Sequence, residues 1–258
     1  MKRILCKIKK QIINIMFPLS CIACHELIGV KTAEPLCKIC FEKWQSAKSS
    51  LRAEHHGVPV IPIEIESANS NNESFIASLV NYHSATLKPG YTVQKRIIFE
   101  LKRHSFRPLV GFISRELSAL IRETMPENES FSDFIVVSIP RSPKNFIETA
   151  NDGVREVAKE IASHLGCGYA DVLGKRLFSR EQKTLNVKAR RKNIKNSIYF
   201  KKNKSELVRG RKIILIDDVV TTGSTVREAS HILIDVGKSK NVYCFSIAQN
   251  ADYLIRNV

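Results

Sequence analysis

The chain has 258 residues, of which 43% are hydrophobic and 7% aromatic, and its formal net charge is +16. This length suits one α/β domain with an appendage or two small domains, and the low aromatic content disfavours an all-β sandwich. No apolar run approaches the roughly 20 residues that span a bilayer. The charge predicts a polyanionic partner, namely nucleic acid, an anionic membrane or a phosphorylated ligand, or else a solvated lysine-rich surface.

The N-terminal segment, residues 1–17, predicts a short amphipathic helix because Ile4, Ile8 and Ile12 recur at helical spacing. Lys7 and Lys9 interrupt the hydrophobic region that a signal peptide would need. A cytoplasmic location is therefore expected. The seven cysteines fit that compartment, since an odd number without an export signal does not indicate a disulfide framework.

Four of the cysteines form two C-x2-C pairs, Cys21 with Cys24 and Cys37 with Cys40, separated by twelve residues. Each pair places two thiolates close enough to share one tetrahedral Zn²⁺, and four sulfur ligands close the site, so we predict a structural zinc ribbon. Two alternatives stay open at this point. Cys24 followed by His25 also matches a c-type haem attachment motif, and a single C-x2-C pair is typical of thioredoxin-like redox sites.

The rest of the chain predicts a connector followed by alternating strands and helices. Residues 1–45 are assigned to the N-terminal helix and ribbon, 46–75 to a polar, proline-broken connector, and 76–258 to the main domain. Apolar patterning predicts strands at 75–82, 134–139, 169–173, 212–216 and 242–248, and helices at 92–102, 108–123, 154–165 and 225–236. Such alternation is typical of a parallel sheet flanked by helices, the α/β class.

The stretch 213–225 predicts a phosphate-binding loop. An apolar strand is followed by two adjacent carboxylates and then by small residues that lead into a helix. Backbone N–H groups of such a loop, with the helix N-terminus, can hold a phosphate, while the carboxylates accept hydrogen bonds from ribose hydroxyls and tolerate Mg²⁺. The alternative is an ordinary helix cap after an apolar strand. The predicted binding residues are Asp217, Asp218, Thr221, Thr222, Gly223, Ser224 and Thr225.

Positive charge is concentrated in residues 175–212, which hold fifteen lysines or arginines and only two acids. Phe178, Tyr199 and Phe200 lie in the same segment and could stack on exposed bases. We therefore predict contact with single-stranded DNA, against the alternative of a solvated loop that covers a phosphoribosyl site. The residues predicted to bind nucleic acid are Lys188, Arg190, Arg191, Lys192 and Lys195.

The phosphate loop resembles that of the type I phosphoribosyltransferases, and most of the chain resembles the ComF family, which is linked to DNA uptake in competent bacteria. The family-like motifs are the approach to the first cysteine pair at 15–24, the stretch 97–102, the pattern Gln182-x2-Leu185-x4-Arg190-x2-Asn193, and the phosphate loop. One place differs. Family members usually carry Arg-Gly-Phe-Asn-Gln before the helix that follows the 134–139 strand, where this chain has Thr-Ala-Asn-Asp-Gly at 149–153.

The resemblance implies a type I phosphoribosyltransferase-like domain behind a small zinc ribbon. It implies a ligand such as phosphoribosyl pyrophosphate (PRPP) with Mg²⁺, support of single-stranded DNA uptake, and partners among competence-machinery proteins. Two alternatives remain: an active enzyme that transfers phosphoribose to a nucleobase or amine, and a regulator that senses a phosphoribosyl ligand. Whether the chain is an enzyme, and which residues would be catalytic, does not follow from the sequence.

Overall fold

The computed structural model of the chain describes residues 20–28, 34–63, 65, 74–81, 92–104, 106–143, 147, 151–176 and 197–250. The helix predicted at 1–17 lies outside these ranges. Among the described residues, none of the helices combines the length and the apolar character that crossing a membrane requires.

A six-stranded sheet in the order β1-β2-β8-β7-β3-β4 forms the centre of the fold. All neighbouring pairs are parallel except β1 with β2, and two further strands, β5 and β6, form a separate antiparallel pair. The strands are β1 Val60–Pro62, β2 Phe75–Asn81, β3 Phe134–Ser138, β4 Gly168–Tyr169, β5 Leu173–Lys175, β6 Ile198–Phe200, β7 Lys212–Val220 and β8 Val242–Gln249.

Helices cover both faces of this sheet, because alternate residues of the buried strands point to opposite sides. Ile214 and Ile216 of β7 belong to one apolar cluster with four helices, whereas Ile213 and Leu215 belong to a second cluster with α5. This arrangement confirms the predicted α/β class. The helices are α1 Lys38–Glu54, α2 Val93–Arg103, α3 Arg107–Thr124, α4 Gly153–Leu165 and α5 Ser224–Asp235.

Local signals set the ends of the helices that border the functional region. The Thr92 hydroxyl accepts the Lys95 N–H at the start of α2, and the Asp152 carboxylate accepts the Arg155 N–H at 3.2 Å at the start of α4. Helix α4 ends at Gly166, whose φ of 71° is left-handed, a conformation that costs glycine little. These caps fix where α2 and α4 meet the sheet.

Two predicted strands differ from the observed ones. The strand predicted at 169–173 is two short strands, β4 in the main sheet and β5 in the small antiparallel pair. Strand β7 does not end at residue 216 but continues to Val220, because its ladder with β8 extends to the pair Val220 and Gln249. Adjacent carboxylates disfavour strand structure locally, and tertiary pairing overrides that preference.

Helix α1 crosses the boundary predicted at residue 45 and extends through residue 54 of the predicted connector. Trp44 and Leu51, both fully buried, hold the two halves of this helix against the core. Strand β1 also lies within residues 46–75 and pairs with β2. The segment after the cysteine pairs therefore contributes a helix and an edge strand.

Candidate functional site

A cavity of about 240 Å³ lies at the carboxyl ends of β3 and β7. In open α/β sheets this edge is where ligands bind, because the loops that follow the strands converge there. The polar side chains that line the cavity come from five separate parts of the chain. They are Lys102, Arg141, Ser142, Asp152, Lys175, Asp217, Asp218 and Thr225.

The two adjacent carboxylates both line this cavity, but their surroundings differ. Asp218 forms an ion pair with Lys102, whose Nζ lies 3.1 Å from its Oδ2. Asp217 accepts the backbone N–H of Asp218 at 2.8 Å. Burial, and then repulsion from Asp218, raises the pKa of Asp217 to about 7, although its side chain keeps partial access to solvent. The pair thus combines one carboxylate that is ion-paired with a lysine and one whose pKa lies near neutral pH.

Three cations complete the cavity, and sequence reasoning did not select them. Lys102 comes from the end of α2, Lys175 from β5, and Arg141 from the turn after β3. The Arg141 guanidinium donates to the backbone carbonyls of Lys102 and, at 2.6 Å, of Asn151, which fixes its position. A signal for Arg141 was present, because it follows Pro140 directly after the buried strand β3 at the ligand-binding edge.

The small-residue loop lies between the end of β7 and α5. Gly223, the N-cap residue of α5, has a φ of 69°, which favours glycine, and the Thr222 hydroxyl accepts the Ser224 N–H at 3.4 Å. The Thr222 and Ser224 hydroxyls lie 2.9 Å apart, and Thr225 reaches the cavity. The structure therefore brings Asp217, Asp218 and Thr225 to one cavity. Of the other predicted residues, Thr221, Thr222 and Gly223 form the turn after β7, and Ser224 is the first residue of α5.

The chain differs from the family pattern at residues 149–153, and residues 151–153 of this segment contact the end of α2. Buried Asn151 donates from Nδ2 to the Leu101 carbonyl at 2.9 Å. At Gly153, an added Cβ would lie 2.3 Å from the same carbonyl oxygen, so only glycine fits there. Asp152 caps α4, and its pKa is raised by burial. These residues join the start of α4 to the end of α2 beside the cavity.

The four predicted ligand cysteines converge on one point. Their sulfur atoms all lie within 4.8 Å of one another, and the Sγ atoms of Cys24 and Cys37 are 3.7 Å apart. With metal–sulfur bonds of about 2.3 Å, tetrahedral geometry requires sulfur atoms roughly 3.8 Å apart, so the cluster fits one four-coordinate metal ion.

The charge state of the cluster also suits a metal. Burial disfavours the Cys21 thiolate, but backbone N–H groups, foremost that of Cys37, outweigh burial and lower its pKa to about 7. Burial and the neighbouring thiols raise the pKa of Cys40 well above its usual range. Without a cation the four sulfurs cannot all be ionised at neutral pH, whereas a bound metal ion would favour the thiolates.

The predicted nucleic-acid residues lie outside the described part of the chain. Lys188, Arg190, Arg191, Lys192 and Lys195 fall within residues 177–196. The described residues on both sides are paired, since Lys175 of β5 lies opposite Ile198 of β6. Lys175 lines the cavity, and Tyr199 of β6 is 40% exposed.

Comparison with known proteins shows what the chain resembles. Residues 150–254 match the phosphoribosyl transferase domain family. Competence protein ComFC of Streptococcus pneumoniae is 31% identical over 123 residues, which are 48% of this chain and 51% of that protein. Competence protein F of Haemophilus influenzae is 43% identical over 56 residues, 22% of this chain and 24% of that protein. The chain thus spans about half of the first relative and a quarter of the second.

Among solved structures, adenine phosphoribosyltransferase from Saccharomyces cerevisiae aligns with 83% of this chain and 92% of its own, at 13% identity and a TM-score of 0.37. The domain match and the two competence relatives agree with the motifs in the sequence and with the sheet described above. The chain is similar to phosphoribosyl transferase domains over residues 150–254 and to competence protein ComFC over about half of its length.

Proposed function

We propose that this chain binds PRPP or a closely related phosphoribosyl ligand with Mg²⁺, and that it supports the handling of incoming single-stranded DNA in the cytoplasm. The observation that carries the first part is the cavity itself. It joins three carboxylates, three cations and the start of a helix at the ligand-binding edge of a parallel sheet.

Each group in the cavity has a natural role towards such a ligand. The N–H groups of the 221–225 turn and of α5 would bind the 5′-phosphate. Asp217 and Asp218 would accept hydrogen bonds from the ribose hydroxyls, as charged acceptors. Lys102, Arg141 and Lys175 would neutralise the pyrophosphate together with Mg²⁺, which supplies further positive charge when bound.

We further propose that the metal held by Cys21, Cys24, Cys37 and Cys40 is zinc. Four sulfur ligands with tetrahedral spacing are typical of structural zinc sites, and four protein ligands leave no position for a substrate. This zinc would hold the N-terminal residues in place and take no part in phosphoribosyl chemistry.

Calorimetric titration with PRPP and Mg²⁺ tests the proposal. We expect saturable binding at one site per chain, and no binding without the divalent ion. Adding a panel of nucleobases and measuring pyrophosphate release then distinguishes the candidate functions. Release with one base would establish an active transferase, whereas binding without release would favour the competence or ligand-sensing role. A chain that does not bind PRPP at all would refute the proposed site.

The basic segment should bind single-stranded DNA through its cations. Replacing Arg190, Arg191 and Lys192 with alanine should weaken binding to all sequences, because cations release counterions from the phosphate backbone regardless of sequence. The logarithmic salt dependence of the affinity should become shallower by up to about 0.7 for each lost phosphate contact. Filter binding at several salt concentrations measures both effects.

A matched control removes the same charge elsewhere. Lys38, Lys43 and Lys240 are exposed and lie on α1 and before β8. Their replacement with alanine should leave the salt dependence close to that of the wild type. If the two triple variants behave alike, or if the wild type binds no DNA at low salt, the segment is instead a solvated or ligand-covering loop and the enzyme interpretation becomes the stronger one.

A further inference from the structure

Helix α2 contacts the cysteine cluster near one end and the cavity at the other. On the cluster side, Arg96 donates from Nε to the carbonyl of Ile22 at 3.2 Å, and its Nη2 lies 2.8 Å from Nε2 of His25. Ile22 lies between the ligands Cys21 and Cys24, and His25 directly follows Cys24. Because a guanidinium only donates hydrogen bonds, Arg96 holds the first cysteine knuckle through two acceptors.

The geometry of this knuckle depends on those contacts. His25 has a φ of 65°, a left-handed conformation that is unfavourable for most residues other than glycine. Arg96 is itself oriented by Glu100, whose carboxylate lies 2.9 Å away one turn along α2. The side chain of Arg96 is only 20% exposed, so these contacts are shielded from water and their geometry is constrained.

The other end of α2 lies within the cavity. The Lys102 side chain pairs with Asp218, and its carbonyl accepts a hydrogen bond from Arg141. The carbonyl of Leu101 accepts from Asn151 and lies against Gly153 without room for a methyl group. Lys102 lies six positions after Arg96 on the same helix, a rise of roughly 9 Å, so a displacement of one end of this short segment moves the other end with it.

We propose that Arg96 couples the metal site to the phosphoribosyl cavity through α2, so that metal and phosphoribosyl ligand favour each other's binding. Metal fixes the Cys21–Cys24 knuckle, the knuckle holds Arg96, and Arg96 sets the position of α2. The position of α2 in turn determines where Lys102 and Arg141 stand. Arg96 is thus a positioning residue that touches neither ligand. This inference rests on the proposed binding of PRPP.

The coupling should appear in both directions, because linkage between two binding sites is reciprocal. Removing the metal from the wild type should weaken PRPP binding by roughly 5-fold or more, the lower end of usual allosteric couplings. Saturating PRPP should tighten the retention of zinc against a competing chelator by the same factor. In Arg96→Gln, which loses the guanidinium contacts to Ile22 and His25, both factors should approach one while the metal content stays at one ion per chain.

The chain offers a matched control for this variant. Arg115 of α3 also ties the cysteine region to the main domain, since its Nη2 lies 2.9 Å from the Glu34 carboxylate, but α3 contributes no side chain to the cavity lining. Arg115→Gln should therefore keep the full coupling. Unfolding of the metal-free cysteine region would contribute equally to both measurements, because linkage is reciprocal, so the comparison of Arg96→Gln with Arg115→Gln isolates the connection through Arg96.

Three results would overturn the inference, and they are distinguishable. PRPP binding that is insensitive to metal, with zinc retention insensitive to PRPP, would show that the sites are independent while leaving the proposed function intact. If Arg96→Gln kept the full coupling, or if Arg115→Gln lost it as well, Arg96 would not be the residue that connects the two sites. A wild type that binds no PRPP would refute the proposed function, and this inference with it.

Discussion

Replacing both Asp217 and Asp218 with asparagine should weaken the binding of magnesium-bound PRPP by roughly two to four orders of magnitude. Each carboxylate offers a charged acceptor to a ribose hydroxyl, and such a hydrogen bond contributes about 1.5–3 kcal/mol. Asparagine keeps the size and one oxygen acceptor, so the backbone N–H of Asp218, which donates to Asp217, remains satisfied. The substitutions should therefore weaken ligand binding far more than they destabilise the fold.

Titration calorimetry at pH 8 is the measurement for this variant. That pH lies above the pKa of about 7 of Asp217, so Asp217 is mostly ionised in the wild type. A control with the same change of charge, Asp133→Asn with Asp235→Asn, alters residues that do not line the cavity and should bind as the wild type does. Equal or tighter binding by the Asp217 and Asp218 variant would show that the carboxylates do not hold the ribose.

Cys37→Ser combined with Cys40→Ser should abolish zinc binding and unfold the N-terminal cysteine region. Structural zinc contributes an apparent 10–16 kcal/mol in small zinc-binding peptides, and that binding energy is also folding energy. Trp44 lies four residues after Cys40, is fully buried, and donates from Nε1 to Glu116 at 3.0 Å. It is the only tryptophan in the chain, so its fluorescence reports on this region alone.

Elemental analysis and tryptophan emission test the zinc prediction together. We expect one zinc per wild-type chain, none in the double variant, and a red-shifted emission as Trp44 meets water. A Cys6→Ser, Cys167→Ser variant removes the same number of thiols outside the cluster and should retain zinc. A wild type without zinc, or one with a haem absorbance band, would contradict the assignment.

The sequence by itself determined those features that depend on residues close together in the chain. The spacing of the two cysteine pairs already predicted four sulfurs around one metal ion, because each pair needs only a short turn to place two thiolates side by side. The order of apolar strand, two carboxylates, glycine and hydroxyl residues likewise predicted a ligand loop, because backbone N–H groups of a short turn converge through local geometry.

Only the tertiary structure decided which other groups join these local motifs. Lys102, Arg141 and Lys175 meet Asp217 and Asp218 because the parallel sheet places the ends of β3 and β7 side by side, and residues of α2 and β5 line the same cavity. The continuation of β7 to Val220 depends on its ladder with β8. The contacts of Arg96 with Ile22 and His25 also depend on the tertiary structure, because they join residues more than seventy positions apart in the sequence. Periodicity and spacing carry no information about such distant pairs, because their contact free energies are realised only when the whole core is packed.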